Sequence, residues 1–211
     1  MEGINGIEDD IDLKISKYYD EIVQNEDKNK IEEDLINEIC EYYYKNDDEK
    51  TLDKYSLKVN SLRSPKVAFW LLDNIKSANK GIYKKNMESI ILNSNDYYWI
   101  TMYAKCIKGA HKLFAEAKIL SMHNPYANYF YCLNVKSKDL RAHEYNFYLS
   151  NDDPKLAYLF AKNIKKSDKT LHFINVIEAG DLDYINLFNN EIGNNLYIDN
   201  AFSSYKNVKT R

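Results

Sequence analysis

Proline and glycine are scarce, at three and six in 211 residues. So few turn-makers, beside abundant Leu, Ile, Lys, Glu and Tyr, exclude a protein of many short strands and point to an all-α fold. No run of about twenty apolar residues occurs, and the acidic start lacks a signal-peptide layout, so the expectation is a cytoplasmic chain with no membrane partner. The three cysteines, Cys40, Cys106 and Cys132, are odd in number and far apart. They read as free thiols in a reducing compartment, not as a disulfide framework. No glycine-rich phosphate loop, nucleophile elbow or His-Glu-x-x-His run is present. The histidines His111, His123, His143 and His172 follow at intervals of 12, 20 and 29 residues and match no zinc pattern. Ser77 and Lys80 have Ser-x-x-Lys spacing, but at a helix cap, where it is coincidence. The chain is read as no enzyme, with no catalytic residues, no metal and no cofactor.

Charge is divided along the chain. Residues 1–61 hold 8 Lys/Arg against 18 Asp/Glu, and residues 62–211 hold 21 against 14, so a net −10 segment precedes a net +7 one. Within 1–61, the first ten residues are expected to fray. The stretch 11–23 is amphipathic, and Ile31, Leu35, Ile36, Ile39, Cys40 and Tyr43 mark a stronger amphipathic helix with Glu32, Glu33 and Asp34 in its first turn. Leu52, Tyr55, Val59 and Leu62 mark another, with Asn46, Asp47 and Asp48 between them as a loop. These last two helices read as a degenerate N-terminal capping repeat. The acidic segment is taken as a solvated cap; docking on the basic region or mimicry of an acidic ligand are the other readings. Residues 205–211 lack periodicity and read as a loose tail.

Residues 62–204 carry an internal repeat. Asp153-Pro154-Lys155-Leu156-Ala157-Tyr158-Leu159-Phe160-Ala161-Lys162-Asn163-Ile164-Lys165 matches the stretch 89 positions earlier, from Ser64 to Lys76, at Pro, Lys, Ala, Asn, Ile and Lys. Further copies open at Asp96, Asn124 and Asp181. The marker residues Ile75, Ile107, Val135, Ile164 and Ile192 are separated by 32, 28, 29 and 28 positions. Every copy opens on an N-cap residue, whose side-chain oxygen accepts an orphan backbone N–H. Pro65, Pro125 and Pro154 each follow such a cap, in the one helical slot where a missing N–H costs nothing. Ala157, Phe160, Ala161 and Ile164 then form a buried stripe. A second helix follows, capped at Asn79, His111, Asp139 or Asp168 and closing on Ile91-Leu92, Ile119-Leu120, Tyr148-Leu149 or Val176-Ile177. Short helix pairs bury their faces only by stacking on neighbours. The expected architecture is an α-solenoid of about five two-helix repeats behind an acidic helical N-terminal segment.

The motif residues Asn151-Asp152-Asp153-Pro154, Ala157-Tyr158, Phe160-Ala161 and Asp168 resemble the α-helical solenoid families of the HEAT-like kind. More narrowly, they are similar to a short helical repeat of phages, large DNA viruses and some bacterial proteins. The resemblance covers about 63–204. It implies binding of another macromolecule and no catalysis, and it leads to the expectation of a phage or mobile-element product that inhibits a host defence protein in the host cytoplasm. The first repeat departs from the pattern by a longer second helix, and the last by Asn189, Glu191 and Gly193, as a terminal cap would.

Two sets of residues are candidates for partner contact. Lys76, Lys108, Lys136 and Lys165 occupy one repeat position, and Lys80, Lys112 and Lys169 form a partial second row. They read as a basic stripe for phosphates or an acidic protein, against the plainer account that a cation suits a helix C-terminus. Phe69, Trp70, Tyr97, Trp99, Tyr129 and Tyr158 are candidate anchors where they protrude, although large aromatics are more often core. The favoured partner is another protein held on the first-helix edges. The alternative is nucleic acid tracked by the lysines, and self-association through exposed aromatics stays open.

Overall fold

The computed structural model describes residues 26–193. The expected helix at 11–23, the frayed first ten residues and the tail at 205–211 lie outside them. The described residues form eleven α-helices and one 3₁₀ turn, with no strand among them. Packing is mostly between helices adjacent, or next but one, in sequence. The chain divides into two compact units at Ala110 and His111, not at the charge change near residue 61.

The N-terminal unit holds α1 (Glu26–Tyr43), α2 (Asp48–Leu62), α3 (Pro65–Asn74), the 3₁₀ turn (Lys76–Asn79), α4 (Gly81–Asn93) and α5 (Tyr97–Cys106). Here α1 packs on α2 and α3, α2 on α4, and α3 on α4 and α5. Ile39, Leu52, Tyr55 and Val59 are all buried at 1% exposure or less. That shared core explains why the acidic helices belong with the first repeat despite their charge. The C-terminal unit holds α6 (Lys112–Ser121), α7 (Pro125–Asn134), α8 (Leu140–Ser150), α9 (Pro154–Asn163), α10 (Lys169–Ala179) and α11 (Leu182–Glu191). Here α7 packs on α8 and α9 on α10, and next-but-one helices also meet, α6 on α8, α7 on α9, α8 on α10 and α9 on α11.

Local chemistry sets the helix ends. The side chains of Ser64, Asp96, Asn124, Asp153 and Asp181 all accept backbone N–H bonds from the first turn of the helix they open. Such a cap contributes about 1 kcal/mol. Each of Ile75, Ile107, Val135 and Ile164 turns to extended backbone while its N–H still reaches the carbonyl four residues back. β-Branched side chains favour that conformation, and all four are buried. One residue therefore stops the helix and plugs the core. Ile192 breaks the pattern with helical backbone at φ −114° and ψ −39°, so the last marker does not close its helix in the same way.

Second-helix starts follow the sequence less closely. Asp139 and Asp168 cap α8 and α10 through their side chains, and His111 precedes α6 without a side-chain bond. Asn79 is not the cap of α4. It ends the 3₁₀ turn and donates its Nδ2 to the Leu72 carbonyl, and α4 starts behind Lys80 with no side-chain cap. The expected longer second helix is present, with α4 at 13 residues against 10 for α6.

Candidate functional site

Buried carboxylates tie neighbouring elements together within each unit. Glu88, Glu116 and Glu144 recur every 28 residues, each on a second helix and each no more than 5% exposed. Glu116 Oε1 accepts from the Lys138 N–H at 2.9 Å, the Asp139 N–H at 3.3 Å and the Ser137 hydroxyl. These donors lie just ahead of α8, one repeat further on. Glu144 accepts the Asp168 N–H at the start of α10 in the same way. A carboxylate at a helix N-terminus satisfies orphan donors and suits the positive end of the helix dipole. In the N-terminal unit Glu88 instead accepts from the Tyr103 hydroxyl at 2.6 Å, with Lys84 3.6 Å away. The sequence signal was there: a glutamate always three residues before a buried apolar residue, Ile91, Ile119 or Phe147. Sequence reasoning passed over it because glutamate on a surface helix ordinarily faces water.

Two of the four histidines sit in this seam. His143 Nδ1 donates to Asn128 Oδ1 at 2.7 Å, an assignment set by Asn128 Nδ2 donating to the Asn124 carbonyl and to Asn146 Oδ1. Its Nε2 lies 3.4 Å from Glu116, and its ring stacks on Tyr131. His172 lies 3.5 Å from Glu144 and stacks on Phe160 with ring centroids 4.4 Å apart. Burial holds both imidazoles below their ordinary pKa, and the facing carboxylates only partly oppose it. Asn128, His143 and Glu116 thus form a chain of polar contacts, but His143 is fully buried and exposes no ring nitrogen to a substrate. Burial also pushes the Cys132 thiol upward, away from thiolate. This cluster packs the interior.

Among the candidate anchors, Tyr97, Tyr129 and Tyr158 are buried at 2–4% exposure. That corrects their assignment as contact residues: neighbouring helices cover these rings. Tyr129 packs on Phe160, and Tyr158 packs near Phe188 and donates to Glu191. Phe69, Trp70 and Trp99 stay half-buried in the N-terminal unit, where Phe69 and Trp99 meet at 5.3 Å. Large exposed apolar residues include Ile82 on α4, Leu113 and Phe114 on α6 and Tyr145 and Leu149 on α8, with others scattered singly, such as Leu57 on α2, Leu133 on α7 and Leu182 on α11. Leu149, expected to help close its repeat, is 65% exposed. The repeat stripe foretells what is buried and says nothing of apolar residues on the outer face, so sequence reasoning missed them.

Lys76, Lys108, Lys136 and Lys165 are all exposed. Each follows the residue that ends a first helix. Of the second row, Lys80 and Lys112 are exposed. Lys169 is turned in: its Nζ donates to the Ile164 carbonyl at 3.2 Å and to Ser167 Oγ at 2.9 Å. It neutralises the end of α9, and burial lowers its pKa.

Hollows in each unit complete the geometry. In the N-terminal unit, an apolar groove of about 530 Å³ runs between Ile31, Leu35 and Leu62, and Asn60, Arg63 and Asn86 line a polar one of about 410 Å³. In the C-terminal unit, Lys138, Arg141 and Lys166 line an open cleft of about 770 Å³ together with Asp139, Glu144, Asp168, Leu140 and Leu171. No group of three or more His, Cys, Asp or Glu side chains that could hold a metal ion occurs among the described residues. No described helix is long and apolar enough to cross a membrane. Compared with known protein families, curated proteins and solved structures, the chain matches none.

Proposed function

We propose that the chain is a helical-repeat binding protein, an α-solenoid of about five two-helix repeats of HEAT-like kind, that holds another protein and performs no chemistry of its own. The alternation of first-on-first and second-on-second helix packing within each unit supports the repeat architecture. The observation that carries the binding reading is the outward face of α6 and α8. It presents Leu113, Phe114, Tyr145 and Leu149 at 58–68% exposure, and these two helices are neighbours. Aromatic and aliphatic residues on a rigid helical face are the usual anchors of a protein interface, and clustered exposure of this kind marks interaction sites. Arg141 lies on the same face one turn before Tyr145, and Lys112 opens α6. The partner that fits therefore has an apolar centre with an acidic rim, drawn in by those cations.

The test compares the native chain with a Phe114→Ser/Tyr145→Ser/Leu149→Ser variant as bait for proteins in nuclease-treated lysate. The reading expects a protein bound by the native chain and at least tenfold depleted on the variant, and confirmed with the purified partner. Identical captures by both baits would overturn it. Sedimentation of both chains separates self-association from a foreign partner.

A further inference from the structure

The geometry points to a second surface, in the C-terminal unit: we propose that the turns 135–139 and 164–168 form an edge that binds the phosphate backbone of a nucleic acid without reading its sequence. These turns join α7 to α8 and α9 to α10. Contact of Glu144 on α8 with the Asp168 N–H places the second turn beside the first turn of α8, and the cleft of about 770 Å³ lies between them.

The cations on this edge outnumber the accessible carboxylates. Glu116 and Glu144 are buried, and Asp139 and Asp168, though exposed, cap the helices they open. Asp139 accepts from the Ala142 N–H, Asp168 from those of Thr170 and Leu171, and Glu116 and Glu144 from the donors ahead of α8 and α10. The cations face out. Lys136, Lys138, Arg141, Lys165 and Lys166 are exposed, and none has a carboxylate within salt-bridge distance among the described residues. At the opposite helix ends the exposed charges are acidic: Asp152, Glu178 and Asp183. A free anion approaching the turn edge meets five cations against two exposed aspartates, and each of those aspartates already accepts backbone N–H groups.

The same edge offers little of what a protein partner needs. Every exposed residue of the two turns is charged, and the apolar residues of the cleft, Leu140 and Leu171, are half-buried. Interfaces between proteins draw most of their energy from such anchors, whereas phosphate binding needs only placed cations and the release of counterions. The two surfaces share Arg141, but Lys136, Lys138, Lys165 and Lys166 lie on the turns and not on the helix face of Phe114, Tyr145 and Leu149, so failure of the protein-binding proposal leaves this one standing.

The test is fluorescence anisotropy of the full chain with labelled mixed-sequence 20-mers, single-stranded and duplex. Four lysine–phosphate contacts predict a log–log salt slope near about −3 for a single strand, or roughly fiftyfold weaker binding at about 200 mM than at about 50 mM salt. The variant Lys136→Gln/Lys138→Gln/Lys165→Gln/Lys166→Gln should bind at least tenfold more weakly with a flatter slope and an unchanged circular dichroism spectrum. Lys45→Gln/Lys85→Gln, in the N-terminal unit, should bind as the native chain does. If the quadruple variant misfolds, Lys165→Gln/Lys166→Gln alone must still lower affinity and slope. The ratio of single-strand to duplex affinity tells which form is the ligand. No binding at about 50 mM salt overturns the proposal, as does native-like binding by the lysine variants. Displacement by poly-glutamate at the same charge concentration as by oligonucleotide would assign the edge to acidic protein and overturn it equally.

Discussion

Glu116→Ala is the most informative single change, because one buried carboxylate serves three donors in the next repeat. The Lys138 and Asp139 N–H groups and the Ser137 hydroxyl lose their acceptor. A hydrogen bond to a charged group contributes about 1.5–3 kcal/mol, and an abandoned buried donor costs about 1–3 kcal/mol. The turn is only partly buried, so water replaces some of the loss, and the expected cost is about 3 kcal/mol for Ala. Gln keeps one acceptor oxygen and should cost about 1 kcal/mol. With a urea m-value of about 2 kcal/mol/M, the Ala variant should unfold about 1.5 M earlier with m unchanged. Both tryptophans, Trp70 and Trp99, lie in the N-terminal unit, so their fluorescence is the wrong probe for this seam. Amide hydrogen exchange is the right one, since the Lys138 and Asp139 amides should lose protection selectively. Unchanged protection at those two amides, with a stability loss under about 0.5 kcal/mol, would refute the staple.

The buried histidines predict an acid limit. A base whose folded pKa is depressed contributes stability that is complete above its unfolded pKa of about 6.5 and is lost as pH falls through and below that value. His143 and His172 together should therefore give up to about 2.7 kcal/mol of loss per pH unit in mild acid. His172→Phe should roughly halve that slope, and imidazole titration by NMR should place both midpoints below about 6.5. Gly180 ends α10 at φ 72° with nothing near its missing Cβ, so Gly180→Ala should cost about 1 kcal/mol by backbone strain alone, read as a lower melting temperature. For the thiols, exposed Cys106 should react with a disulfide reagent in the folded protein. Cys132, pushed toward the thiol form by burial, should react only on unfolding, as mass spectrometry of timed labelling will show.

The all-α character, the starts of the first helices and the stops at Ile75, Ile107, Val135 and Ile164 were legible in the residues. Caps such as Asp153 and stops such as Ile164 act through bonds spanning two to four positions, so their identity and spacing suffice. The positions of the lysines after those four stops, Lys76, Lys108, Lys136 and Lys165, could be read from the same spacing. Asn79 shows the limit of local reading, since its side chain chose the Leu72 carbonyl over the next helix. Tertiary structure decided the rest. Tyr129 and Tyr158 follow the first stripe residue of their helices just as half-buried Phe69 does, and only the neighbouring helix determines which ring it covers. Glu116 looks like any surface glutamate until the next repeat brings three donors to it. Leu113, Phe114, Tyr145 and Leu149 are apolar in the sequence and would be read as core, yet stacking on α7 and α9 uses the other faces of α6, α8 and α10. A side chain's burial depends on contacts made across tens of residues, and those contacts exist only once the helices are stacked.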